Sequence, residues 1–451
     1  MSLRDRWHVP AALLSPVRAV PLVFAVFILL GTGLLLLPWC HDPGASVSFM
    51  QAFFTATSAV TVTGLATVDI GSHFSWPGQL VILLLAEFGG IGIILVATTL
   101  GVLVGGRIGL RMKLASQTDL HVTGLGQVGP LFRRILLTTL FFQGVTAIIL
   151  VVRYRMTYFD RFTTAAWHGI FDSVMAFNNA GLSLQPTGLA AYAADPIIVL
   201  TITFAVLFGT VGFPVLAELR DRWRRPDTWT IHTRLTVWGS LLLVAIGWVL
   251  FLWFEWTNAG TIGAQSVPHK IMTGLEGSVM PRSGGLATFN WGDVRPETML
   301  VTVAMMLIGG GSASTAGGIK VTTFFLLAYV VLAEIRGDEQ VRIGRRAISA
   351  QTIRTALSIA LIGVALAVGG TLALLLLSDS TLPDAAFEAT SAFGTTGLST
   401  GLTPHLSIPA QLVVIALMFV GRVGTITAAS AFAMRRRKSR FRLPEEQPII
   451  G

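Results

Sequence analysis

Thr55-Ala56-Thr57-Ser58-Ala59-Val60-Thr61-Val62-Thr63-Gly64 is a short apolar and hydroxyl-bearing run that ends on a glycine, and its pattern recurs three more times along the chain. The other copies are Asp172 to Gly181 (DSVMAFNNAG), Glu276 to Gly285 (EGSVMPRSGG) and Glu388 to Gly397 (EATSAFGTTG), each followed by leucine like the first. The terminal glycines lie 117, 104 and 112 residues apart in a chain of 451. Solenoid repeats recur every ~20–50 residues. A period this long, with two apolar runs in each unit, points instead to repeated membrane hairpins with fourfold pseudo-symmetry inside one polypeptide.

Composition agrees. Hydrophobic residues make up 53% and charged residues 12% of the chain, and the mean hydropathy is +0.71, which excludes an ordinary soluble domain. Apolar runs long enough to cross a bilayer lie near 20–38, 78–105, 135–152, 196–217, 235–254, 298–334, 355–378 and 408–434. The first lacks a small-x-small cleavage site and reads as a transmembrane helix rather than a signal peptide. Each glycine phrase falls between an odd and an even run. The expected fold is therefore an all-α polytopic membrane protein of four tandem helix–pore-loop–helix repeats, with eight transmembrane helices and four half-helices around a central pore. Repeat bounds are expected at 1–110, 111–225, 226–340 and 341–451.

The net charge of +9 could indicate nucleic acid, but the distribution of the basic residues argues against that. Of 32 lysines and arginines, 24 fall in the N-terminus, the loops at 107–134, 220–234 and 336–354, and the tail from Arg435 to Arg442. The positive-inside rule puts these segments and both termini in the cytoplasm, with the glycine loops toward the outside. The Arg435-Arg436-Arg437-Lys438 run reads as a cytoplasmic anchor, or as a contact for anionic membrane lipid or a partner. Cys40 is the single cysteine, which excludes an internal disulfide and a cysteine metal site.

A loop at membrane depth is tolerated where it lines water or is buried in protein, and rings of backbone carbonyls can replace the hydration shell of a monovalent cation. The four segments Thr61-Val62-Thr63-Gly64, Asn178-Asn179-Ala180-Gly181, Arg282-Ser283-Gly284-Gly285 and Gly394-Thr395-Thr396-Gly397 are thus the candidate selectivity filter. Each preceding half-helix would aim its partly negative C-terminus at the same axis. No carboxylate cage for a divalent ion is present in these segments, which favours potassium or sodium. Nine residues before three of the glycines stand Asp172, Glu276 and Glu388, with Thr55 in the first copy. They are expected as N-terminal caps of the half-helices, or as an acidic contribution to the entrance.

A second repeat lies in the even-numbered helices as FGGIG (88–92), FGTVG (208–212), IGGGS (308–312) and VGRVG (420–424), consistent with close packing through small residues. Its third copy opens into Gly309-Gly310-Gly311-Ser312-Ala313-Ser314-Thr315-Ala316-Gly317-Gly318-Ile319-Lys320, which cannot hold a stable helix and is the candidate gate. Arg422 stands at the position of Gly90, Thr210 and Gly310, deep in its helix. An arginine there needs carbonyls or an acid, and it is expected to cap the glycine tract below the filter. Glu87 is its candidate acid partner, or else a hydrogen-bonded structural residue.

Neither glycine motif fits a nucleotide site. Lys320 follows isoleucine where a Walker motif needs glycine, and Gly124-Leu125-Gly126-Gln127-Val128-Gly129 matches GxGxxG but runs straight into Pro130. A secondary transporter with inverted repeats would show two interruptions rather than four. An intramembrane hydrolase would need a base near the tract serines, and His121, His168, His232, His269 and His405 fall in loops or at helix ends. No catalytic set is assigned.

At these residues the chain resembles the Trk/Ktr/HKT superfamily of potassium transporters, and most closely the bacterial Ktr-type membrane subunit. The resemblance rests on TVTGLATVD, FNNAGLS, PRSGG, SAFGTTGLSTG, the IGGGSASTAGGIK tract and the arginine of VGRVGT, from about residue 18 to 440. The short N-terminus lacks the extra leading helices of Trk-type proteins. The third segment reads Ser283-Gly284-Gly285-Leu286 where the family pattern is closer to Thr-Ala-Gly-Phe, and Glu87 stands where a neutral amide is expected. The resemblance implies Gly64, Gly181, Gly285 and Gly397 as filter glycines, the 309–320 tract as an intramembrane gate, and Arg422 as its latch. It also implies a homodimer in the bacterial plasma membrane with one pore per subunit. Potassium would be the cargo, uptake would in many cases be sodium-stimulated, and a cytosolic RCK-type ring of subunits binding ATP or ADP would regulate it. No organic cofactor in this chain and no nucleic-acid partner are implied.

Overall fold

The computed structural model describes residues 16–91, 128–344 and 346–434. Fifteen α-helices run through these residues. The first quarter contains α1 (Pro16–Leu35), α2 (Phe49–Thr61), the single turn α3 (Ile70–His73) and α4 (Trp76–Ile91). The second contains α5 (Val128–Thr157), α6 (Phe162–Asn178), α7 (Pro196–Val211) and α8 (Phe213–Arg222). The third contains α9 (Ile231–Glu255), α10 (Val267–Val279), α11 (Pro296–Leu307) and α12 (Val321–Arg336). After a two-residue hairpin of β1 (Arg342–Ile343) and β2 (Arg346–Ala347) come α13 (Ala350–Leu377), α14 (Leu382–Gly394) and α15 (Ile408–Met434).

Helix, half-helix, loop and helix therefore follow one another four times. By length and composition α5, α9 and α13 are each able to cross a membrane, and α7 with α8 forms a bent pair that passes the same test. Shorter apolar helices occupy the remaining positions, at Val20–Leu35, Trp76–Ile91, Pro296–Leu307 and Ile408–Gly424. Outer helices leave large apolar side chains such as Ile148, Trp253, Leu361 and Leu376 exposed, as a lipid-facing surface requires.

The half-helices α2, α10 and α14 are 13 residues long, a rise of about 20 Å, too short for a hydrocarbon core of about 30 Å. Their inner turns are fully buried. Ser48 opens α2 with a reciprocal capping box, its hydroxyl accepting from Gln51 N at 3.3 Å and Gln51 Oε1 accepting from Ser48 N at 2.8 Å. Thr381 opens α14 by accepting from Asp384 N. Asp172, Glu276 and Glu388 do not cap α6, α10 and α14 but lie inside them, which corrects the expectation from sequence. The true starts lie farther upstream, where each chain segment first enters helical geometry.

Among the described residues, two of the eight apolar runs are interrupted as helices. The run at 196–217 breaks at Gly212 (φ +98), and α8 leaves α7 at 98°. Pro214 follows at once and suits the first turn of a new helix. The run at 298–334 is interrupted between Leu307 and Val321 by the glycine tract, as its composition predicts. The continuation at 92–105, most of the GxGxxG stretch and the tail from Arg435 lie outside the described residues.

Candidate functional site

The four repeat glycines meet one another. Each has a positive φ: +102 at Gly64, +62 at Gly181, +69 at Gly285 and +87 at Gly397. A Cβ added to Gly64 would lie 2.8 Å from Gly181 Cα, and one on Gly181 would lie 2.8 Å from Gly285 Cα and 3.2 Å from Gly64 Cα. One on Gly397 would lie 3.0 Å from Gly64 Cα and 3.1 Å from Gly285 Cα. The loops thus close into a ring in which neither the backbone angle nor the space admits a side chain. Carbonyl oxygens crowd the same junction: Ala180 O is the nearest atom to a Cβ on Gly64, Thr63 O to one on Gly397, and Thr396 O lies 2.8 Å from one on Gly285.

A second regularity was not legible in the residue types. Two positions before each glycine, Val62 (φ +57), Asn179 (φ +60), Ser283 (φ +72) and Thr395 (φ +46) are all left-handed. Such a conformation is uncommon outside glycine and is a true outlier for β-branched residues, each instance costing on the order of 1–3 kcal/mol. Three of them end their half-helices with the same pair of bonds. Thr63 N, Ala180 N and Thr396 N reach back to Ser58 O, Met175 O and Ser391 O at 2.8 Å each. The helix end therefore turns sharply and delivers the glycine to the ring.

Several loop side chains are engaged by neighbouring groups. Thr61 Oγ1 bonds Thr57 O at 2.7 Å and Thr63 Oγ1 at 2.8 Å. Asn179 bonds the Thr210 hydroxyl at 2.8 Å, and Asn178 Nδ2 donates to Glu87 at 2.6 Å. Arg282, fully buried, donates to the carbonyl and hydroxyl of Ser240 on α9 at 3.1 and 3.0 Å.

The half-helix acids brace the limb that leaves the ring. Glu276 accepts from Thr288 N at 3.1 Å and from its hydroxyl at 2.6 Å. Glu388 accepts from Thr400 N at 3.2 Å, Thr403 Oγ1 at 2.7 Å and the Ser399 hydroxyl. Thr288 and Thr400 both stand three residues after their glycine, so two quarters share one strut. Asp172 instead accepts from Tyr154 OH at 2.7 Å.

The 309–320 tract folds back on itself. Gly309 N bonds Ile319 O at 2.8 Å and Ile319 N bonds Leu307 O at 3.0 Å, pinching the loop at its base. Its tip reaches the neighbouring quarter, with Gly311 N on Thr210 O at 2.8 Å and Phe213 N on Ala313 O at 3.2 Å. Lys320 Nζ donates to Ala316 O at 2.6 Å. Arg422, buried, donates to Thr315 O in the tract and to Gly89 O on α4 at 2.7 Å. This is the carbonyl capping expected of it. Glu87 accepts from Gln143 Nε2 at 2.8 Å as well as from Asn178, in keeping with a hydrogen-bonded structural residue.

The second glycine repeat packs even helices onto the ends of half-helices. A Cβ on Gly89, Gly209 or Gly421 would strike the carbonyl of Val60, Phe177 or Phe393, each four residues before its ring glycine. In the third quarter that position is Pro281, and Gly309 abuts Gly317 of the tract instead.

Comparison with known proteins follows the same architecture. The model of the TrkH cation transport protein family matches residues 2–441. The chain belongs to the TrkH cation transport protein family. TrkH-family relatives include Ktr system potassium uptake protein B of Bacillus subtilis, 35% identical with 97% of each chain covered, and potassium/sodium uptake protein NtpJ of Enterococcus hirae, 31% identical over 97% of this chain and 98% of that one. Among solved structures, the potassium transporter TrkH of Vibrio parahaemolyticus shares the fold, with a TM-score of 0.70 at 18% identity over 94% of this chain and 85% of that one. The TrkH family are cation transporters rather than enzymes, and this chain is a multi-pass membrane protein.

Proposed function

We propose that the chain takes up potassium through the ring of Gly64, Gly181, Gly285 and Gly397. The observation that carries this reading is the closure of four left-handed glycines, with their preceding carbonyls, into one ring. Backbone carbonyls at such a site substitute for the water shell of a weakly hydrated monovalent cation. The loop segments 61–64, 178–181, 282–285 and 394–397 act as the filter, the 309–320 tract as the gate and Arg422 as its latch. A buried guanidinium holding two carbonyls keeps positive charge and a folded loop in the path, so both opposing features leave together when the latch releases.

Several relatives carry potassium uptake in their names, and one is named for potassium and sodium. Sodium-stimulated uptake is part of the proposal. Relatives named as proteins of a Ktr system support a further component acting with this chain. We assign that role to a cytosolic RCK-type ring binding ATP or ADP, beneath a homodimer whose basic segments and termini face the cytoplasm.

The test is cation flux into proteoliposomes holding the purified protein, comparing potassium, rubidium, sodium and lithium, with and without sodium as a co-ion. Potassium and rubidium flux that disappears in Gly64→Asp supports the filter. Equal flux of all four ions from correctly folded protein would reject it.

A further inference from the structure

Ser283 occupies the left-handed position two residues before the third ring glycine, and its side chain is buried. Its hydroxyl donates to Gly394 O of the fourth loop at 3.2 Å and accepts from Gly317 N of the glycine tract at 3.2 Å. One oxygen atom thus joins the third loop, the fourth loop and the tract. The equivalent positions do not do this. Val62 has no polar side-chain atom, Asn179 bonds groups of α6 and α7, and Thr395 Oγ1 has no hydrogen-bond partner among the described residues.

Packing around this oxygen leaves little slack. A Cβ on Gly317 would stand 3.0 Å from Gly394 O, and one on Gly394 would stand 2.6 Å from Met306 O at the end of α11. A displacement of the tract away from the third loop would withdraw Gly317 N–H from the Ser283 hydroxyl. The hydroxyl would then be held by one bond in place of two, and its tie to Gly394 O would be less firmly directed. The fourth loop would then lose part of a restraint two residues before Thr396, whose carbonyl lies beside Gly285 in the ring.

We infer that Ser283 is a positioning residue that couples the tract to the ring, so that ion discrimination depends on whether the tract is seated. The inference rests on the filter and gate reading above and deepens it. Coupling of this kind is reciprocal, so an ion that settles the ring also favours the seated tract.

The other loops supply the test. Thr395 and Val62 show that threonine and valine both occupy this backbone geometry, and the two have the same shape with and without the hydroxyl. Ser283→Thr and Ser283→Val, each alone and with Arg422→Ala, are reconstituted in proteoliposomes, and both total flux and the potassium-to-sodium flux ratio are measured. Ser283→Thr, which keeps the hydroxyl, is expected to lose about fivefold in the ratio on adding Arg422→Ala, the weight of one net hydrogen bond. Ser283→Val is expected to show that loss already, with none added by Arg422→Ala. Equal ratios for Thr and Val, or an equal further loss in both backgrounds, would overturn the coupling. Arg422→Ala that leaves total flux unchanged would overturn the gate reading itself, a separate readout. If Ser283→Val does not elute as folded protein, Ser283→Ala takes its place with the same expectations.

Discussion

Glu276 and Thr288 face each other across the third ring loop, the carboxyl accepting from both the main-chain N–H and the hydroxyl of the threonine. Removing the acid would leave two buried donors without an acceptor. Glu276→Ala is expected to lower stability by about 2–4 kcal/mol, visible as a fall in the melting temperature of the purified protein. Glu276→Gln keeps one acceptor oxygen and should lose less. Equal melting of all three proteins would mean that the strut carries no load.

Arg422 ties α15 to both α4 and the tract through two carbonyls. Arg422→Ala should raise cation flux several-fold. Arg422→Lys should fall between, because an ammonium lacks the planar fork that spans two acceptors. Unchanged or reduced flux with normal expression would count against the latch.

Alanine at any of the four ring glycines should abolish selective transport, lowering it by at least about tenfold, since each combines a left-handed backbone with a Cβ inside its neighbour's contact distance. Gly369→Ala on α13 provides the control. A Cβ there meets nothing within 4 Å, and transport should be unchanged.

Spans, repeat order and the glycine ring were legible because they depend on length and composition: about 20 apolar residues to cross a bilayer, and glycine where a loop needs positive φ. Arg422 was legible for a related reason, as a charge deep in an apolar helix must find carbonyls or an acid. The half-helix acids misled. An acid at the head of a small-residue phrase resembles an N-cap, whereas Glu276 and Glu388 act across the loop on Thr288 and Thr400, partners that sequence distance does not disclose. Nor could Val62 or Thr395 announce a left-handed backbone, since their residue types oppose it and the surrounding packing imposes it. The break at Gly212 had a local signal in Gly212 and Pro214, outweighed by the long apolar run around them.

The even-helix glycines predict a graded packing response. Gly421→Ala would drive a methyl into Phe393 O, and Gly209→Ala into Phe177 O, each costing about 1–3 kcal/mol through displacement of the helix. Gly33→Ala on α1, where a Cβ meets nothing within 4 Å, should leave thermal stability unaffected. Differential scanning fluorimetry of the three variants separates these outcomes.

Glu218 on α8 holds the start of α9, accepting from Thr230 N at 2.9 Å and from the hydroxyls of Thr230 and Thr233. Burial alone would raise its pKa, but the hydrogen bonds from Thr233 and Thr230 hold it below the ordinary glutamate value. A depressed folded-state pKa contributes stability above the unfolded value and loses it as pH falls through the folded one. Melting temperature should therefore decline as pH drops below about 4.3, and Glu218→Gln should flatten that decline.

Among the described residues, Pro281 and the folded-back tract give the third quadrant a construction that the other three lack. A pore built from four identical subunits would have to repeat any such departure in every wall, and each wall would then sacrifice its close packing. A single polypeptide with four unequal quarters escapes that constraint: three walls keep an even-helix glycine against a half-helix carbonyl, and the remaining one is free to differ. Asymmetry of this kind would let one wall move without disturbing a ring whose geometry tolerates almost no change.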